Sequence, residues 1–139
     1  MGLKEDREAL NAHIEQVHQQ DVVWGKNDCT SWVSDWITKK TGKQVNGPKF
    51  SSSDEAKTII EQEGSLANVW SKYLADLRFY EVDKPLSEEL SYGDILVFET
   101  QLFGQCGGIV TTDGIVAWRS IQSIHFIKPR VIIRGWKLR

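Results

Sequence analysis

Apolar residues recur at helical spacing through the first half of the chain and at strand spacing through the second. From Lys4 to Gln20, Leu10, Ile14 and Val17 fall on one face of an otherwise polar segment, which predicts a surface helix. Asp21 to Gly25 reads as a short extended connector. Cys29, Trp32, Val33, Trp36 and Ile37 then share one face of a second helix. Asn27 or Asp28 can cap its start, and Thr41-Gly42 ends it. After a loop carrying Gly47-Pro48, Ser53 is expected to cap a helix through Glu63, with Ala56, Ile59 and Ile60 inward and Gly64 as its stop. A further helix, Ser65 to Leu77, carries Leu66, Val69, Trp70, Tyr73 and Leu74 on its buried side.

Strand patterns follow. Phe79 to Val82 fits a short strand, and Asp94 to Phe98, entered through Tyr92-Gly93, a strong one. Gly108 to Thr112 and Ile115 to Arg119 flank Asp113-Gly114, a favoured hairpin dipeptide. Ile124 to Ile127 and Val131 to Trp136 are separated by Pro129. Helices first and an antiparallel meander after predict an α+β fold with about five strands.

Composition narrows the function classes. A chain of 139 residues is expected to form one domain, 1–139. The net charge of −2 and pI near 5.9 give no basic field, so nucleic acid is not an expected partner. No apolar run approaches the roughly 18 residues of a membrane span. The N-terminus is charged and lacks an apolar signal region, and Gly2 sits in a poor context for myristoylation. A cytoplasmic protein, or one released by a route other than secretion, is expected. Two cysteines make no disulfide framework. Six tryptophans spread along the chain are best used in core packing. Gly104, Gly107 and Gly108 do not form a phosphate loop, and no cofactor is implied. The basic tail of Lys128, Arg130, Arg134, Lys137 and Arg139 reads as a solvated strand face or, alternatively, as a contact for an acidic partner or nucleic acid.

The candidate chemistry centres on Cys29. Its place in the first turn of a helix favours the thiolate, because backbone N–H groups and the helix dipole lower the thiol pKa there. The plainer alternative is a small buried cysteine. Asp28 either orients a catalytic group or caps the helix. A thiolate catalyst needs a histidine within hydrogen-bond reach, and the chain has three. His13 and His18, on the first helix, are expected to be solvated. His125, flanked by Ile124 and Phe126, either reaches into a cleft or packs on the sheet.

The order Trp24-Gly25, Asp28-Cys29, Trp32-Val33, then Tyr92-Gly93-Asp94-Ile95-Leu96-Val97-Phe98, Gly107-Gly108-Ile109-Val110 and Gly114-Ile115-Val116-Ala117-Trp118, resembles the NlpC-type papain-like cysteine peptidases. The resemblance spans roughly Val22 to Trp136 and implies a papain-like fold with the Cys29 helix packed on the sheet. Trp24-Gly25 and the closing Trp136 are similar to a branch of that superfamily found in phages, prophages and gene-transfer particles, often among tail genes. In the family pattern the catalytic histidine opens the strand after the Gly-Asp strand, and here Cys106 stands at that place. Three functions follow as expectations. One is a degenerate scaffold acting as a binding or tail-assembly module, in the cytoplasm or the virion. Another is a cysteine hydrolase of cell-wall peptide or amide bonds, with Cys29 as nucleophile and His125 as base. The third is a Cys29–Cys106 thiol pair with a redox role; alternatively, Cys106 only fills space. Phage tail proteins, other proteins or peptidoglycan fragments are the implied partners.

Overall fold

A computed structural model describes residues 3–138. Gly2, with its myristoylation context, and Arg139, the last residue of the basic tail, lie outside the described residues. The described residues form four α-helices and six strands: α1 (Leu3–Val17), α2 (Cys29–Thr41), α3 (Ser53–Glu63), α4 (Leu66–Leu74), β1 (Tyr80–Asp83), β2 (Ile95–Thr100), β3 (Gly104–Val110), β4 (Val116–Arg119), β5 (Ile124–Ile127) and β6 (Ile132–Lys137). The fold is α+β, as the pattern of positions predicts. No described helix is long and apolar enough to cross a membrane.

Helix ends follow local chemistry. Asp28 caps α2 by accepting from the Ser31 N–H, and Gly42, at φ 76°, closes it in the left-handed conformation. The cap of α3 is Ser52 rather than Ser53, because Ser52 is the extended residue whose hydroxyl reaches the Glu55 N–H. Ser65 caps α4 in the same way. α4 ends at Leu74, and the expected remainder, Ala75–Leu77, tightens into a 3-10 turn.

All strand pairs are antiparallel, in the order β1-β6-β2-β3-β4-β5. The sheet therefore has six strands, not five. β1 joins its edge through Tyr80↔Lys137 and Val82↔Gly135. Asp113 and Gly114 both take positive φ, 59° and 74°, and turn β3 into β4 as their residue types predict. The sheet's inner face, with Ile95, Val97, Ile109, Ala117, Ile124 and Trp136, packs on Leu10, Trp32, Trp36 and Trp70 of the helices. Its outer face carries a second cluster: Leu96, Phe98, Cys106, Val110, Val116 and Ile132, with Leu90 laid over them. Strand alternation separates the two sets, except on β6, where a register shift against β2 puts Ile132 on the outer face and Trp136 on the inner one.

Candidate functional site

Cys29 is the first residue of α2, and the turn before it is tightly tied. Gly25 N–H donates to Asp28 Oδ1 (2.8 Å), the Ser31 hydroxyl donates to the same oxygen (2.7 Å), and the Ser31 N–H reaches Oδ2 (3.3 Å). Asp28 is buried and engaged in these bonds, so the structure gives it the capping role. Gly25 sits at φ 84°, and a Cβ on it would run into the Phe50 carbonyl oxygen. Only glycine fits there.

The thiol faces β3. The Gly107 N–H hydrogen-bonds to it, and Thr30 Oγ1 lies 4.0 Å away. Gly107 has no room for a side chain, because a Cβ would enter the ring of Trp70. Trp70 in turn donates its indole N–H to Thr30 Oγ1 (3.3 Å). Above Cys29 opens a cleft of about 200 Å³. Its walls are mainly apolar, with Trp24, Phe50, Ile59, Ile60, Leu66 and Val69, and its polar groups include Gln105, Lys57 and Ser53.

This environment does not favour a thiolate. Burial pushes the Cys29 thiol up to about 11; the Asp28 carboxylate and Cys106 push the same way, against the Thr30 hydroxyl and the Gly107 N–H. The lowered pKa expected of a helix start is thus reversed. Desolvation, seconded by the cap's own negative charge, outweighs the hydrogen bonds that favour the thiolate.

The histidines are placed elsewhere, and among the described residues none lines the Cys29 cleft. His13 is not solvated but 1% exposed in the core, stacked on Trp32 with ring centroids 5.0 Å apart. Its Nε2 donates to the Trp32 carbonyl (2.7 Å), and its Nδ1 accepts from Lys39 Nζ (2.9 Å). Burial, with Lys39 opposing a second cation, lowers its pKa to about 4 despite the Trp32 bond. His18 is exposed and touches the Ser123 hydroxyl (3.3 Å). His125 pairs across the ladder with Trp118, whose ring packs on Phe98 of the outer cluster. It therefore stands on the face away from α2, exposed, 2.7 Å from the Ser120 hydroxyl. The structure does not bring Cys29 and His125 together.

Cys106 is likewise on the outer face, paired with Phe98, so its thiol does not look across the cleft at Cys29. Both cysteines are free. Burial also raises the Cys106 pKa. No group of three or more His, Cys, Asp or Glu among the described residues is placed to hold a metal ion.

Two residues that the motif reading passed over are better placed. Gln105 is the β3 side chain that lines the cleft, and its Oε1 accepts from the Ala67 N–H at the start of α4 (3.1 Å). Arg119, 3% exposed on β4, donates Nε–H to the Asn27 carbonyl (2.9 Å) beneath the turn into α2. Its Nη1 and Nη2 have no hydrogen-bond partner among the described residues. Parity along the strands is the signal that finds both. Ile109 and Ala117 point inward, so 105, 107 and 119 do as well.

A family model described as a domain of unknown function, DUF6950, matches residues 3–138, and the chain belongs to that family. No curated protein matches the chain.

Proposed function

We propose that this DUF6950 member is an NlpC-type papain-like domain that has given up hydrolysis and uses the cleft over Cys29 as a binding site. The motif order from Trp24-Gly25 to Trp136 supports the fold. The helix carrying Cys29 at its first position, laid against an antiparallel sheet, supports it further. One observation carries the loss of hydrolysis: no described histidine lines the cleft over Cys29, and burial there raises the thiol pKa to about 11 rather than lowering it. A papain-like nucleophile works as a thiolate paired with imidazolium. The cleft instead offers an apolar hole with an amide, Gln105, and an ammonium, Lys57, among its polar groups. Such a hole takes one large apolar side chain of a protein segment and hydrogen-bonds its backbone. By resemblance to the phage and prophage branch, the partner is a tail or other assembly protein.

Alkylation of the intact protein by iodoacetamide at neutral pH, with the modified site located by mass spectrometry, tests this. Cys29 is expected to react on the order of a hundredfold more slowly than a free cysteine, because so little of it is thiolate. An apparent Cys29 pKa below that of free cysteine, or cleavage of cell-wall peptides that stops in Cys29→Ala, overturns the proposal.

A further inference from the structure

The outer face of the sheet is covered unevenly. At the β6 end, Leu90 and Pro85 lie on the Gly135 backbone. Toward the tip of the β2–β3 hairpin the same face opens into a trough of about 850 Å³, bounded by that tip and the loop from β5 to β6. Trp118 lines it, its ring in contact with those of Phe103 (6.0 Å) and His125 (5.2 Å). Leu102, Phe103 and Val131 line it too and are 86, 63 and 52% exposed. Large apolar side chains gathered in one solvent-facing patch mark a contact surface rather than chance exposure.

Charge says what kind of partner fits. Lys128 and Arg130 stand exposed in the loop along the trough, with Glu99 as its one carboxylate. Neither cation forms an ion pair among the described residues. The trough is thus locally positive on a chain of net charge −2. A second copy of the chain, docking the same patch on itself about a two-fold axis, would set these cations against their own counterparts. A nucleic-acid strand would need a longer run of cations to neutralise its phosphates.

We propose that this trough docks an acidic amphipathic segment of a partner protein. Its apolar residues pack between Phe103 and Val131 over Trp118, and its carboxylates meet Lys128 and Arg130. The surface is independent of the Cys29 cleft, which opens on the sheet's other side.

The test titrates the full chain, labelled with nitrogen-15, with two synthetic amphipathic peptides. They share one apolar face and carry glutamate or lysine on the other. The glutamate peptide is expected to bind saturably, shifting the Leu102, Phe103 and Trp118 indole N–H signals. The lysine peptide is expected to bind at least about tenfold more weakly, and raising salt should narrow the gap. The double exchange Lys128→Glu with Arg130→Glu, at exposed loop positions, should invert the preference. Phe103→Ser should weaken both peptides while the remaining spectrum stays native. Absence of saturable binding, equal affinities, or shifts confined to other surfaces would overturn the proposal. So would a dimer in sedimentation that Phe103→Ser dissociates.

Discussion

At the scale of the residue, Asp28 and Gln105 decide what Cys29 can do. Asp28 holds the turn and also keeps a negative charge beside the thiol. The two effects separate by substitution. Asp28→Asn keeps a cap acceptor and removes the charge, so the Cys29 pKa should fall from about 11 while the fold persists. Asp28→Ala removes the acceptor and should cost about 1–2 kcal/mol in urea unfolding. An unchanged alkylation profile in Asp28→Asn would show that burial alone sets the thiol. Gln105 gives a sharper experiment, because it lines the same cleft as Cys29 whereas Cys106 is turned away. Gln105→His should put an imidazole in the cleft and raise the alkylation rate of Cys29 at neutral pH by about tenfold or more. Cys106→His should leave that rate unchanged and destabilise the outer cluster. The opposite ranking would show that residue 106, not 105, faces the Cys29 thiol.

At the scale of the element, the close approach of β3 to the helices governs the site. Trp70 of α4 occupies the space where a side chain at Gly107 would be. Gly107→Ala should therefore cost about 1–3 kcal/mol by overpacking, and Gly107→Val more, as read from the midpoint of chemical unfolding. A neutral Gly107→Ala would mean that Trp70 swings aside freely. These elements differ in how far the residues announce them. The limits of α2 are written in Asp28 and Gly42, and the β3–β4 turn in Asp113-Gly114, because caps and tight turns depend on neighbours a few positions away. The β1–β6 pairing joins segments far apart in the chain, so nothing near Tyr80 reveals it. Cys106 illustrates a different limit. Moving an alignment by one residue on a strand exchanges its faces, so motif order alone does not fix whether residue 105 or residue 106 faces Cys29, and the structure leaves Cys106 filling space in the outer cluster. His13 follows the same rule on a helix. It lies three residues after Leu10 and four before Val17, within the apolar stripe, although its polarity suggests solvent.

At the scale of the whole molecule, buried titratable groups set the pH range of stability. His13 is neutral in the fold, with its proton on Nε2 toward Trp32 and its Nδ1 lone pair toward Lys39. Its folded pKa of about 4 lies below the ordinary 6.5, so the unfolded chain binds more protons between these values. The stability it supports is complete above pH 6.5 and is lost as pH falls toward 4, by roughly 3 kcal/mol from this group. Urea midpoints should decline between pH 6.5 and 5, before most carboxylates titrate. In His13→Phe that slope should flatten, even if the variant is less stable at pH 7. Cys29 sets the other side. Its pKa is raised from 9.0 to about 11, so its contribution is intact below pH 9 and fades as pH rises toward 11.

The contact of Gly25 with the Phe50 carbonyl ties together two walls of the Cys29 cleft that come from distant parts of the chain. Gly25 is also bonded to Asp28, so the turn that bears Trp24 is tethered to the start of α2, and Phe50 has no room to press inward past the glycine. If the cleft binds a protein segment as proposed, its mouth is expected to keep its width rather than to close, and the fit of the incoming side chain would then set selectivity.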